Sequence, residues 1–325
     1  MADVVVPRDL QARFTAPADI AFATFDARDG TTIRWAAVAP DGARATVVLL
    51  PGFTEYVEAY FETIRDLLAA GIAVFAMDWP GQGGSGRYLA DPEKAHAWGF
   101  EAHVGALRRF LETIVLPAGT PGPLTLVGHS MGGHLATRFL EEAPGLADAA
   151  ALSAPAYAVG VDSPLPPGPT RLVVELVVAL GFGESWALGA GPWERQGKRR
   201  ARLRPLLSSD PERAAILERW AEVNPTLRVG GATWGFGRSF VRSARRVVEP
   251  QRLARIGVPV LIGSAGRDAF TDSGLHETVA ANIPACRVLA YRQAQHCLFL
   301  ESDAIRGPWM SALIGLATSG RLPAA

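Results

Sequence analysis

The 325-residue chain is 49% hydrophobic and 20% charged, an ordinary globular composition that can bury one sizeable core, alone or carrying an insertion. Its 32 basic residues balance 32 acidic ones, so the whole molecule offers no case for nucleic-acid binding, and two cysteines, Cys286 and Cys297, are too few for a disulfide framework. No run reaches the roughly 18 apolar residues of a membrane span, and "MADVVVPRDLQARF" has neither the basic start nor the apolar stretch of a signal peptide, which together predict a cytoplasmic protein.

In chain order, "IAFATF" (20–25) and "TTIRWAAV" (31–38) read as a hairpin about Asp29-Gly30. Strand-like apolar runs follow at 45–50, 73–78, 124–128, 149–153, 258–263 and 286–291. Amphipathic stretches of helical length lie near 57–70, 97–115, 131–142, 273–282 and 302–317. The alternation predicts an α/β protein with a mostly parallel sheet covered by helices on both faces. Between Pro155 and Pro250 the strand runs vanish, prolines cluster in "SPLPPGP", and helical patterns such as "TRLVVELVVALGF" and "DPERAAILERWAEV" take over. The expected organisation is a core of 1–154 and 251–325 interrupted by a helical cap at 155–250.

The chemistry is carried by "LTLVGHSMGG", which leaves a strand, places Ser130 between Gly128 and Gly132, and enters a helix. In that context G-x-S-x-G reads as a nucleophile elbow, a turn so sharp that side chains at the two glycines would clash. A serine hydroxyl needs a base, and the order serine, acid, histidine leaves His134, His276 and His296. The first two lie on predicted helices, where packing or solvent explains them. His296 follows the last strand and is the expected base. Asp268, just past the strand "VPVLIG", is the expected acid, with Asp272 its rival and better explained as a helix N-terminal residue. The amides of Met131, after the serine, and Phe53, in the turn after "VVLLPG", are the expected oxyanion donors. "GQGGSG" (81–86) matches a dinucleotide fingerprint, but that fingerprint needs a helix opening on its last glycine, and "RYLADPEKAHAW" follows instead. No metal or organic cofactor is required by these residues.

Together "LLPGFTEYVEAY", "FAMDWPGQGGSGR", "LVGHSMGG", "SAGRDAFTD" and "AQHCLFLESD" resemble the α/β-hydrolase superfamily, and within it the lysophospholipase L2 and monoacylglycerol lipase branch. The likeness spans positions 49 to 303 in order. Pro51-Gly52 stands where many members have His-Gly, and "DWPGQG" replaces the commoner D-x-R-G-x-G. The resemblance implies a Ser130, Asp268, His296 triad, Phe53 and Met131 amides as oxyanion hole, and a serine carboxylester hydrolase acting on a lysophospholipid or monoacylglycerol. Carbon–carbon bond hydrolases, aminopeptidases and a non-catalytic binding protein on the same fold are the alternatives.

The cap adds a hint about substrate. From Arg195 to Arg255 there are fourteen arginines and one lysine against Asp210, Glu212, Glu218, Glu222 and Glu249, an excess of ten positive charges on a neutral protein. Such a cap would attract a phosphate head group, through Arg242, Arg245 and Arg246, or an anionic lipid surface, while "LVVELVVALGF" shelters an acyl chain. The plainer account is a solvated helical face beside a packed helix. Oligomeric state has no signal in the sequence.

Overall fold

The computed structural model describes residues 5–119, 121–158 and 167–323, so that part of the proline cluster, 163–166, lies outside the described residues. The strands are β1 (Ala21–Asp26), β2 (Thr32–Val38), β3 (Ala45–Leu50), β4 (Ile72–Met77), the short β5 (Lys94–Ala95), β6 (Leu124–His129), β7 (Ala149–Ser153), the short β8 (Gly231–Ala232), β9 (Val260–Ala265) and β10 (Cys286–Tyr291). Eight of them form one sheet in the order β1-β2-β4-β3-β6-β7-β9-β10. The β1–β2 hairpin and the β2–β4 pair are antiparallel, and every pair from β4 to β10 is parallel. This is the α/β-hydrolase fold.

Each central strand serves two layers, because successive side chains point to opposite faces. In β3, Val47 and Leu49 join one buried cluster, and Val48 and Leu50 join the other. Helices α1 (Phe61–Ala69), α2 (Phe100–Phe110) and α3 (Met131–Glu142) follow β3, β5 and β6. After β7 come α4 (Pro167–Val177), α5 (Gly197–Leu207), α6 (Pro211–Ala214), α7 (Ile216–Val223), α8 (Trp234–Val247) and α9 (Pro250–Leu253), then α10 (Leu275–Ala280) and α11 (Asp303–Ser319) around β9 and β10. α11 packs Trp309, Leu313 and Leu316 on the first face, and α3 packs Leu135 and Phe139 on the second.

The described residues between β7 and β9 are mainly helical, with one correction to the sequence expectation that strands vanish there. β8 pairs in parallel with β5, and Gly230 and Thr233 donate their amides to the carbonyls of Glu93 and Ala95. Two residues of ladder are too short to leave a periodic signal. A second tether runs from the end of α5, whose Leu206 and Leu207 carbonyls accept the amides of His296 (3.3 Å) and Cys297 (2.9 Å). The helical segment is thereby fixed to the loop after β10. After Gly86 no helix opens until Phe100, so the geometry of a dinucleotide fingerprint is absent.

Candidate active site

The turn from β6 to α3 is strained. Ser130 has φ 50° and ψ −114°, a conformation that costs a side-chain-bearing residue on the order of 1–3 kcal/mol. It is held by its amide donating to the Ser153 carbonyl at 2.9 Å and by its own carbonyl accepting from His134 and Ala156 at 3.0 Å. The two flanking glycines are steric necessities. A Cβ on Gly128 would lie 2.7 Å from the Gly132 carbonyl carbon, and one on Gly132 would lie 2.1 Å from the Leu50 carbonyl oxygen.

Ser130 and His296 line the same cavity of about 400 Å³, together with Phe53 and Met131. His296 Nδ1 donates to Asp268 Oδ2 at 2.7 Å, and the carboxylate has no exposed side-chain surface. Asp268 is further fixed by the amides of Phe270 and Thr271 and by the Thr271 hydroxyl, at 2.8, 3.0 and 2.7 Å. Burial alone would push this carboxyl up, but the His296 ring and the Thr271 donors outweigh it and hold it down at about 2. Among the described residues the carboxylate of its rival Asp272 accepts the Gly274 amide alone, as a turn residue.

The other two candidate histidines are structural. His134 bridges the Ala156 carbonyl and the Ser243 hydroxyl, joining α3 to α8, and burial pushes it down to about 3. His276 ties Ser264 to the Pro155 carbonyl.

The turn after β3 presents an unused amide. Gly52 donates to Glu55 at 2.5 Å and Thr54 to Gln82 at 3.1 Å, while the Phe53 amide between them has no acceptor among the described residues. Met131 opens α3, where an amide has no intrahelical partner. Two donors beside one serine can stabilise an oxyanion.

"DWPGQG", where the sequence departs from the commoner pattern, builds this turn. The Trp79 indole donates to the Pro51 carbonyl at 2.7 Å, and the Gln82 amide donates to the carbonyls of Gly52 (2.7 Å) and Glu55 (2.8 Å). Asp78 receives the amides of Val57 and Gly84 and pairs with buried Arg34, which also makes a bidentate pair with Glu58. Gln82 and Glu55 were missed from sequence, where a polar residue in a glycine-rich turn carries no mark of its partners.

Behind His296, His129 packs with ring centroids 4.7 Å apart. Glu55, His129 and Cys297 bring one ligand atom each within 4.8 Å of one another, all buried. Their chemistry does not suit an ion. Burial pushes both the Glu55 carboxyl and the Cys297 thiol up, toward protonated forms that ligate metals poorly, and Glu55 already accepts from Gly52 and the Tyr60 hydroxyl.

The basic residues fall differently from the sequence expectation. Arg242 pairs with Glu175 at 2.7 Å, and Arg246 with Glu142 at 2.9 Å. With Arg138 and Arg238 they line a separate cleft of about 210 Å³, and Arg245 is exposed and lines neither space. The α8 face carrying Phe236 and Phe240 lines the catalytic cavity instead, beside Arg199, Arg200 and Arg204 of α5. The apolar α4 does not shelter the cavity either, since Leu172 and Leu176 are 73% and 60% exposed. Helical periodicity identifies the faces of α4 and α8 but not what each one meets.

Known proteins supply an independent comparison. Residues 41–303 match the serine aminopeptidase S33 family. The chain is 30% identical over 310 residues to lysophospholipase L2 of Escherichia coli strain K12, covering 90% of this chain and 86% of that one. It is 26% identical over 232 residues to a monoacylglycerol lipase of Mycolicibacterium smegmatis, covering 69% and 70%. In three dimensions it is similar to a soluble variant of monoglyceride lipase from Saccharomyces cerevisiae bound to a substrate analogue, with a TM-score of 0.72 and 18% identity over 95% of this chain and 97% of that one.

Proposed function

Because the chain belongs to the serine aminopeptidase S33 family of α/β-hydrolases, we propose that it cleaves a single-chain lipid ester, a lysophospholipid or a monoacylglycerol, through an acyl-enzyme. One observation carries the mechanism: a serine on a strained elbow opens on the same cavity as an imidazole whose other nitrogen is bound to a buried carboxylate. His296 takes the Ser130 proton as Oγ attacks the ester carbonyl, and Asp268 holds the ring and stabilises the imidazolium. The Phe53 and Met131 amides receive the oxyanion. His296 then protonates the leaving alcohol, and water, activated by the same ring, releases the fatty acid and restores Ser130.

The cavity suits this substrate. Its walls include Met131, Leu203, Leu217, Phe236 and Phe240, apolar surface for an acyl chain. An aminopeptidase must recognise a substrate ammonium, yet the lining carboxylates among the described residues are Glu55, buried and held toward its neutral form, and Glu218, already paired with Arg200 and Arg204. That arrangement favours an ester over an N-terminal peptide.

Residues 155–250 act as a cap over the cavity and bring the enzyme to a lipid surface. Among the described residues no helix is long and apolar enough to cross a membrane. Leu172, Leu176 and Leu180, 73%, 60% and 64% exposed and spaced four apart, form an apolar stripe that an interface would cover.

A fluorophosphonate probe should label the wild type and not Ser130→Ala, and this variant should lose kcat by a factor on the order of 10³ or more while keeping its fold. Labelling elsewhere, or a variant that keeps most of its activity, removes the mechanism.

A further inference from the structure

We infer that Arg199, Arg200 and Arg204 form a phosphate-binding subsite in the wall of the catalytic cavity, so that the preferred ester carries a phosphate in its head group. The inference rests on the ester hydrolase reading and decides between its two substrate classes.

α5 is "GKRRARLRPLL", five cations with no carboxylate. Three of its arginines line the same cavity as Ser130 and His296. The carboxylate facing them is Glu218, 3.5 Å from Arg200 and paired with Arg204. With Glu55 held toward its neutral form, three guanidinium groups meet one carboxylate, which leaves two positive charges uncompensated.

The three arginines are held to different degrees. Arg200 is fixed, its guanidinium 3.5 Å from the centre of the Trp193 ring and donating to the Trp193 carbonyl. Arg204 keeps a buried Nε with no acceptor, a donor whose burial without a partner costs free energy until one arrives. Arg199 is exposed and makes no hydrogen bond or ion pair among the described residues. A fixed guanidinium, one paired with Glu218 that keeps an unmet Nε donor, and one without a partner among the described residues suit a tetrahedral anion with several acceptor oxygens.

The helix is also registered against the chemistry. Its Leu206 and Leu207 carbonyls bind the amides of His296 and Cys297. At about 1.5 Å of rise per residue, Arg199 lies on the order of 10 Å along the axis from that tether, and Arg204 much nearer. The arginines therefore keep a set distance from the imidazole, as a head-group site must from the scissile ester. A neutral glycerol head group would leave this charge unanswered.

The test compares kcat/KM on two esters with the same acyl chain, a monoacylglycerol and its glycerophosphoglycerol counterpart, in the wild type, Arg199→Ala and Glu218→Gln. The wild type should prefer the phosphate ester. Arg199→Ala should lower the ratio of the two values roughly tenfold, through KM. Glu218→Gln, which frees Arg200 and Arg204, should raise it. Arg199 is exposed and unpaired among the described residues, so its loss should leave the fold intact.

A ratio that stays within twofold in both variants overturns the subsite while leaving ester hydrolysis standing. A wild type that turns over neither ester sinks the underlying reading instead. Inhibition of monoacylglycerol hydrolysis by inorganic phosphate, without any preference between the esters, would mean an anion site that serves no substrate, and it too would overturn the assignment.

Discussion

Asp268 Oδ2 accepts the Nδ1 proton of His296 at 2.7 Å, from a carboxylate with no exposed side-chain surface. Because the folded protein holds this carboxyl down at about 2 against an ordinary 3.8, its contribution to stability is complete above the ordinary value and is lost as pH falls toward 2. The difference corresponds to about 2 kcal/mol. Urea unfolding at pH 4 and pH 2 should show the wild type losing that much more than Asp268→Asn. The same variant should lower kcat by a factor on the order of 10⁴, since nothing then fixes the imidazole tautomer. Equal acid sensitivity in the two proteins would contradict the pairing.

Gln82 does not line the cavity, yet it holds the turn that presents the Phe53 amide. Gln82→Leu leaves the Gly52 and Glu55 carbonyls and the Thr54 amide without this partner. We expect kcat to fall roughly tenfold with KM little changed, less than the hundredfold or greater loss of an oxyanion donor itself. A loss confined to KM would place Gln82 outside the transition-state machinery.

Glu55 Oε1 faces His129 Nε2 at 3.4 Å, while the other carboxyl oxygen accepts from Gly52 and Tyr60. His129 Nδ1 donates to the Ser153 carbonyl, and burial holds the ring well below its usual pKa, so Nε2 carries a lone pair. Two lone pairs meet unless Glu55 brings a proton, in keeping with the upward push of burial on its carboxyl. Stability from this group is complete below the ordinary 4.5 and is lost as pH rises toward the raised value. Glu55→Gln, which keeps a donor toward His129, should retain kcat within about threefold and remove that decline. Unfolding curves of both proteins from pH 5 to 9 that run parallel would rule out a protonated Glu55.

Replacing Leu172, Leu176 and Leu180 together by serine should weaken co-sedimentation with phosphatidylglycerol vesicles by roughly tenfold or more. Hydrolysis of a soluble short-chain p-nitrophenyl ester should stay at the wild-type rate. Undiminished vesicle binding would move the membrane-facing surface elsewhere.

The layers of the fold and the elbow are legible in local residue patterns. Buried runs such as "ATVVLL" and "AAALS" state their burial residue by residue, and the steric demand at Gly128 and Gly132 is local, so Ser130 announces its turn within a few positions. Strand ends in the structure differ from the sequence expectation by one or two residues, as at β4 and β9, because fraying ends carry little periodic signal. Meetings between distant segments emerge only on packing: Gln82 with the turn at 52–55, and the arginines of α5 rather than those of α8 at the cavity. An arginine reads the same in sequence whether it is neutralised, as Arg242 is by Glu175 sixty-seven residues away, or left without a partner among the described residues beside a cavity, as Arg199 is. Charge counts survive in composition, but the compensation of each charge depends on chain packing, and packing is where the specificity of this site is set.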